Sequence, residues 1–182
     1  MRGLRYIVIA IAAVMLFIGF QQKFATWNDF PKKTTVEGFV EAEPSEWEKY
    51  ARPVREYMYY RTQAVINNDI HILWNQYPKL KENINIEERI NVEKYEVEFF
   101  NQEGKVLDAN FDIEKYDRLQ VKKINENEAA VLVHASLVYL ADNFEEFGGE
   151  RLIEIYLQRS GTSWEVVKTD EYTEEEYQKL LE

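Results

Sequence analysis

From Ser45 onward the spacing of apolar residues changes at Gly104. Before it, apolar residues recur at three- and four-residue steps. After it, they recur at every second residue. Helical spacing followed by strand spacing confines the chain to plans in which early helices cover one face of a later sheet. Short turns between the later runs make neighbouring strands antiparallel.

The helical part starts at Ser45-Glu46-Trp47-Glu48, which has the form of a capping box. Trp47, Tyr50, Ala51, Val54, Met58, Arg61, Thr62, Val65 and Ile66 then share one helical face. Pro53 lies inside this run and lacks the N–H that a helix interior uses, so the main helix is expected to begin with Pro53 near its first position. Asn67-Asn68-Asp69 breaks the run, and Asp69 reads as the cap of the next helix. Ile70, Leu73, Trp74, Tyr77 and Leu80 make a second short amphipathic helix that ends around Pro78. Residues 86–102 are mixed in period. They are read as a third helix, with acids and Lys94 along one flank and Gly104 as its stop.

Beyond Gly104, residues 116–124 place Leu119 and Val121 on one side of a strand. Asn125 to Glu128 is a turn, and 129–141 is a long strand. Asn143 to Gly149 reads as a loop in which Gly148-Gly149 supply unusual backbone angles. Residues 150–159 align Ile153, Ile155 and Leu157, and Ser160-Gly161-Thr162 turns the chain into a last strand containing Trp164 and Val166. Thr173 to Leu181 reads as a closing helix capped by Thr173. The expected fold class is α+β, with N-terminal helices packed on a curved antiparallel meander.

The formal charge of −11 over 182 residues conceals a division. Residues 1–24 hold Arg2, Arg5 and Lys23 and no acid, so they carry +3, while the remaining 19 bases face 33 acids and carry −14. From Tyr6 to Phe20 no residue is charged. As a helix that run rises about 22 Å, and its flanks bring it near the hydrocarbon thickness of a bilayer. Tyr6, Phe20, Phe24 and Trp27 suit the two interfaces, and no small-x-small cleavage pattern follows. The segment is read as an uncleaved signal anchor with its N-terminus inside, which puts the acidic domain outside the cell membrane. The resulting scheme is an anchor over 1–24, a linker over 25–44 and one domain over 45–182. Phe30, Val36, Phe39 and Val40 in the linker are apolar enough to pack on the domain as an ordered lead-in.

The helix pair joined at Asn68-Asp69, with Leu73, Trp74 and Tyr77-Pro78 downstream, resembles the opening of the nuclear transport factor 2-like superfamily, whose fold is the cystatin-like cone. So does the end of the meander, Gly161-Thr162-Ser163-Trp164-Glu165-Val166-Val167. The resemblance covers about residues 46–172 and points to a membrane-anchored bacterial extracytoplasmic member. It implies a sheet curled around a pocket, and a homodimer through the sheet. Members include isomerase-like and cyclase-like enzymes and non-catalytic modules of secretion, conjugation and cell-wall machinery, so the fold alone selects no function.

The residues themselves offer little chemistry. Absence of cysteine excludes a disulfide framework, a thiolate metal site and a lipidated anchor. Acidity and the lack of clustered Lys/Arg argue against nucleic acid. His71 and His134 lack metal-ligand spacing, and the acids of Asp142 to Glu146 lack the spacing of a calcium loop. There is no phosphate loop and no nucleophile elbow. His134 sits mid-strand beside Leu132, Ser136 and Val138, as a structural or surface histidine. No catalytic residue, metal or cofactor is assigned. The pocket candidates are Tyr57, Tyr60, Trp74, Tyr77, His134 and Tyr156. The expectation is a non-catalytic binding module that docks a protein partner or a small apolar ligand through its pocket or sheet face. A scaffold subunit of a secretion, conjugation or cell-wall assembly, or a small isomerase- or cyclase-like enzyme, are the alternatives.

Overall fold

The computed structural model describes residues 36–85, 89–102, 104–113 and 119–172. The leader 1–24, Phe30 in the linker and the closing helix over 173–181 lie outside the described residues. Among the described residues, no helix is long and apolar enough to cross a membrane.

Helix α1 spans Trp47–Ile66 and buries Tyr50, Ala51, Val54, Tyr57, Met58, Arg61 and Val65 along the face its sequence marks. Its start differs from the sequence reading in two ways. Ser45 does not cap it. The backbone turns in by itself instead, with Glu46 N and Trp47 N both donating to the Glu43 carbonyl at 2.8 and 2.9 Å. The box carboxylate, Glu48, reaches Arg55 at 3.0 Å. Nor does Pro53 begin the helix; it lies inside it and is itself buried. Helices draw their stability mainly from packing an apolar face, and Tyr50, Ala51 and Val54 pack on both sides of that residue, which outweighs the lost backbone bond.

Asn68 adopts φ +50°, a left-handed conformation that asparagine tolerates, and ends the run. Asp69 Oδ1 then accepts from His71 N at 2.9 Å, capping α2, His71–Gln76. Pro78 opens a 3-10 turn, Pro78–Glu82, that buries Leu80. Helix α3 is Val92–Phe100, with Asn91 Oδ1 accepting from Lys94 N at 2.9 Å as its cap.

Among the described residues, six strands form one antiparallel sheet: β1 Val40–Glu41, β2 Val106–Asp112, β3 Leu119–Asn125, β4 Glu128–Ala141, β5 Glu146–Ser160 and β6 Ser163–Tyr172. The long strand β4 organises them. One of its edges pairs with β5 from Glu128 to Leu140. Its other edge is shared, with β3 along Ala129–Val133 and β2 along Ser136–Ala141. β1 extends the sheet beyond β3, inside the stretch read as linker. The sequence reading names no strand over 106–112, because the register shift between Val106 and Asp108 breaks the period of two.

A second difference concerns Gly148 and Gly149. They lie inside β5, opposite Val138 and Leu137, and the hairpin bend is confined to residues 142–145. Gly148 has φ +116°, and a Cβ there would stand 2.2 Å from the Leu137 carbonyl oxygen. Only glycine fits that close approach of two strands.

Alternation divides the sheet into two faces. Ala129, Val131, Val133, Ala135, Leu137 and Tyr139 of β4 face the helices with Ile153, Ile155 and Leu157 of β5, and this side holds the main core. The other face has a smaller cluster in which Val36 and Phe39 of the lead-in cover Ala130, Leu132 and Leu152. The apolar residues of 36–39 therefore pack on the domain, whereas Val40 is 62% exposed.

Candidate functional site: a buried charge cluster under the helices

Charged side chains occupy the centre of the helix-facing side. Arg61 stands on the buried face of α1, four residues after Tyr57 and therefore directly beside it. Glu93 and Glu96 stand one turn apart on α3 and are buried, so they do not belong to the solvated flank the sequence suggests. From the sheet come Tyr139 of β4, Arg151 of β5, and Thr169 and Glu171 of β6. Tyr139 and Arg151 share their parity with Leu137 and Ile153, and Thr169 and Glu171 stand opposite the core residues Ile155 and Ile153, past a register shift that separates them from Val166.

The guanidinium of Arg61 makes three contacts. Its Nε donates to Glu96 at 2.7 Å, Nη2 to Glu171 at 2.8 Å and Nη1 to the Tyr57 hydroxyl at 3.3 Å. Arg151 donates to Glu171 at 2.9 Å and stands 3.8 Å from Glu96. The Tyr139 hydroxyl adds a donor to Glu96 at 3.2 Å. Two guanidinium groups and two carboxylates thus close a ring. Such a ring offsets the cost of dehydrating its members only because every carboxylate oxygen in it accepts a hydrogen bond.

Glu93 is the fifth charged residue. Its Oε1 accepts from Tyr57 at 3.1 Å and from the Thr169 hydroxyl. Thr169 in turn accepts from Asn83 Nδ2 at 2.8 Å, and Asn85 donates to Asp170 at 3.0 Å nearby. Glu93 Oε2 has no hydrogen-bond partner among the described residues. It borders a cleft walled by Tyr57, Arg61, Asn83, Asn85 and Asp170, whose volume of about 10 Å³ is about that of one water.

Burial pushes the Glu93 carboxyl above the usual glutamate range. Burial also raises Asp170 at the cleft mouth. Glu171 goes the other way: burial opposes its charge, but Arg61 and Arg151 outweigh it and hold the carboxyl below the usual range. The Tyr57 and Tyr139 hydroxyls are pushed well up by burial and stay neutral, Tyr57 donating to Glu93 while accepting from Arg61.

The six pocket candidates do not form one site. Tyr57, Tyr60 and Tyr77 come together as edge-to-face rings with centroids 6.1 Å apart, but only Tyr57 lines the cleft. Trp74 lies on α2 against His71, centroids 5.5 Å apart. His134 and Tyr156 are on the opposite face of the sheet: His134 is 3.0 Å from Glu150, and Tyr156 packs with the small cluster under Lys168. Arg61, Glu93, Glu96, Arg151 and Glu171 are absent from the candidates that the sequence supplies. The signal for them is a charged residue at a core position of an apolar face, plainest for Arg61 between Met58 and Val65. Among the described residues, no group of three or more His, Cys, Asp or Glu could hold a metal ion.

The other face is divided along β4. One half is capped by the lead-in, and Tyr172 donates there to the buried Glu154. The other half carries His134, Ser136, Val138 and Leu140, all half-buried, opposite Asp108, Asn110 and Asp112 of β2 and Glu146 and Glu150 of β5. Among the described residues, a short apolar stripe is thereby left open between two acidic borders.

No family model matches the chain, and no curated protein does either. Solved structures do resemble it. Aln2 from a Streptomyces species aligns over 77% of this chain and 98% of its own at 8% identity, with a TM-score of 0.51, and shares the fold. Others include a nuclear transport factor 2-like superfamily protein from Salmonella enterica, at 10% identity over 72% of this chain and 93% of its own, TM-score 0.45. A cystatin-like domain from Nostoc punctiforme aligns at 10% identity over 76% and 85%, also with a TM-score of 0.45. The architecture is α+β, helices against an antiparallel sheet, and such neighbours include nuclear transport factor 2-like and cystatin-like proteins.

Proposed function

We propose that this is a non-catalytic binding module, tethered to the membrane by its leader and displayed outside the cell, that docks a protein partner on the open half of its outer sheet face. The observation that carries the reading is the filling of the interior. Where a cone-shaped domain would receive a small ligand, this chain has a ring of two arginines and two glutamates, and the cleft beside it has a volume of about 10 Å³. Ligand-sized sites are larger by more than an order of magnitude.

The outer face supports the other half of the reading. Val138 and Leu140 form an apolar stripe between Asp108, Asp112, Glu146 and Glu150, which suits a partner segment with apolar anchors and flanking Lys or Arg. Charge of that sign also keeps the domain off anionic lipid and polymer.

Because the chain has no cysteine, a single Ser136→Cys change labels the open half alone. In intact cells carrying the full chain, a membrane-impermeant maleimide-benzophenone is expected to react at position 136. On illumination it should join the domain to one protein, identified by mass spectrometry, and Val138→Thr should lower the yield. Failure to label from outside overturns the display. Labelling without any protein crosslink overturns the docking face.

A further inference from the structure

Charge counting in the interior singles out Glu93. Arg61 and Arg151 are matched by Glu96 and Glu171, at contacts of 2.7 to 3.8 Å. Glu93 has no guanidinium in direct contact: its side-chain hydrogen bonds come from the Tyr57 and Thr169 hydroxyls, Arg61 acts on it across the cleft, and its Oε2 borders that water-sized cleft without a hydrogen-bond partner among the described residues. Neutral, Glu93 leaves the cluster balanced. Ionised, it adds one uncompensated negative charge to a dehydrated interior, with the half-buried Asp170 close by at the cleft mouth.

The groups that face Glu93 come from every element packed around it. Tyr57 and Arg61 of α1 and Thr169, Asp170 and Glu171 of β6 bond it or line its cleft, and Glu96 of α3, Tyr139 of β4 and Arg151 of β5 join the same cluster through Arg61 and Glu171. Arg61 works the other way, as do the Thr169 and Tyr57 hydroxyls and the backbone N–H of Glu93 itself, each favouring the charged carboxyl. Burial is the larger effect. The surrounding bonds make the position mechanical as well as electrostatic. Glu93 is tied through Thr169 to Asn83 of the loop, and Asn91, the α3 cap, is tied to the Leu80 and Asn83 carbonyls at 2.7 and 2.9 Å.

We propose that Glu93 is a proton-operated latch: protonated, it holds the start of α3 and Asn83 against β6, and on losing its proton it opens the cleft to water. The latch stands on the interior cluster alone and needs no docking partner. Its sign is fixed by linkage. As pH rises past the ordinary glutamate value of 4.5, the open form ionises first, so the closed form loses ground by up to about tenfold per pH unit. The loss levels off once the closed form ionises too. Glu171, held below the usual range, has the opposite pH dependence and weakens the fold only toward acid. Comparison with Glu93→Gln isolates the latch from it.

The test uses the full chain in lipid nanodiscs, by amide hydrogen exchange of Val92–Phe100 corrected for intrinsic rates, between pH 4.5 and 8. Wild-type protection is expected to fall by up to about tenfold per unit and then level off. Glu93→Gln should lose clearly less protection across the range, keeping only the share that Asp170, also raised by burial, contributes. Carbon NMR of the wild-type Glu93 carboxyl supplies a second reading, with its midpoint expected at the pH where protection levels. Equal losses in both proteins overturn the latch. So does a Glu93 midpoint at or below the ordinary value, a result that stands even where the Gln variant does not fold.

Discussion

The two faces of the sheet carry acidic side chains of the same types to different ends. Under the helices, Glu96 is buried and Glu171 is only 12% exposed, and each touches two arginines. On the outer face, Asp108 and Glu146 are exposed beside a half-buried apolar stripe. A carboxylate removed from water must find cations and donors within contact distance, so the inner acids serve the fold. Asp108 and Glu146 stay exposed to water and keep their charge at the surface. Composition counts both kinds equally in its −11.

That contrast is broken most forcefully at Arg61, which is 2% exposed. Arg61→Leu leaves Glu96 and Glu171 short of a cation and is expected to cost about 3–5 kcal/mol in urea unfolding followed by tryptophan fluorescence. Gly148→Ala comes next. It strains the backbone at φ +116° and meets the Leu137 carbonyl, for a loss of about 2–3 kcal/mol on the same assay. Tyr57→Phe removes one hydroxyl from Glu93 and Arg61 and should cost about 1–2 kcal/mol, with the thermal midpoint falling accordingly. Val138→Thr on the outer face is the smallest. Stability should stay within about 0.5 kcal/mol while crosslinking from position 136 declines. A large stability loss there would erase the distinction between the faces.

The sequence made the order of elements legible because period is a local property. Asp69 as a cap, α3, and the strands on either side of the turns at Asn125 to Glu128 and Ser160 to Thr162 all rest on neighbours close in the chain. What stayed hidden depends on distant partners. β2 has a shifted register and only a small Ala109 and Phe111 to mark its inner side, so it reads as a strand only beside β4. Pro53 is tolerated because α1 buries the residues around it. Gly148 looks like a loop glycine until the Leu137 carbonyl is seen 2.2 Å from where its Cβ would be.

The buried cluster was hidden for the same reason. Arg61 was visible on an apolar face, but Glu96 and Glu171 lie 35 and 110 residues further on, and nothing local joins them. The acids of α3 alternate with apolar residues in a way that suits a solvated flank equally well. The aromatic candidates were drawn from residue type, and type does not say which sheet face a residue occupies; His134 and Tyr156 fell on the outer one.

A closed interior requires its charges to form one mutually neutralising unit. A double-mutant cycle on Arg61→Leu and Glu171→Gln, by urea unfolding of the full chain in mild detergent, measures that directly. The predicted coupling is about 2 kcal/mol or more, with the double variant much less damaged than the two single losses sum to. Losses that add to within about 0.5 kcal/mol would mean the two charges do not hold each other, and the closed interior would have to be explained otherwise.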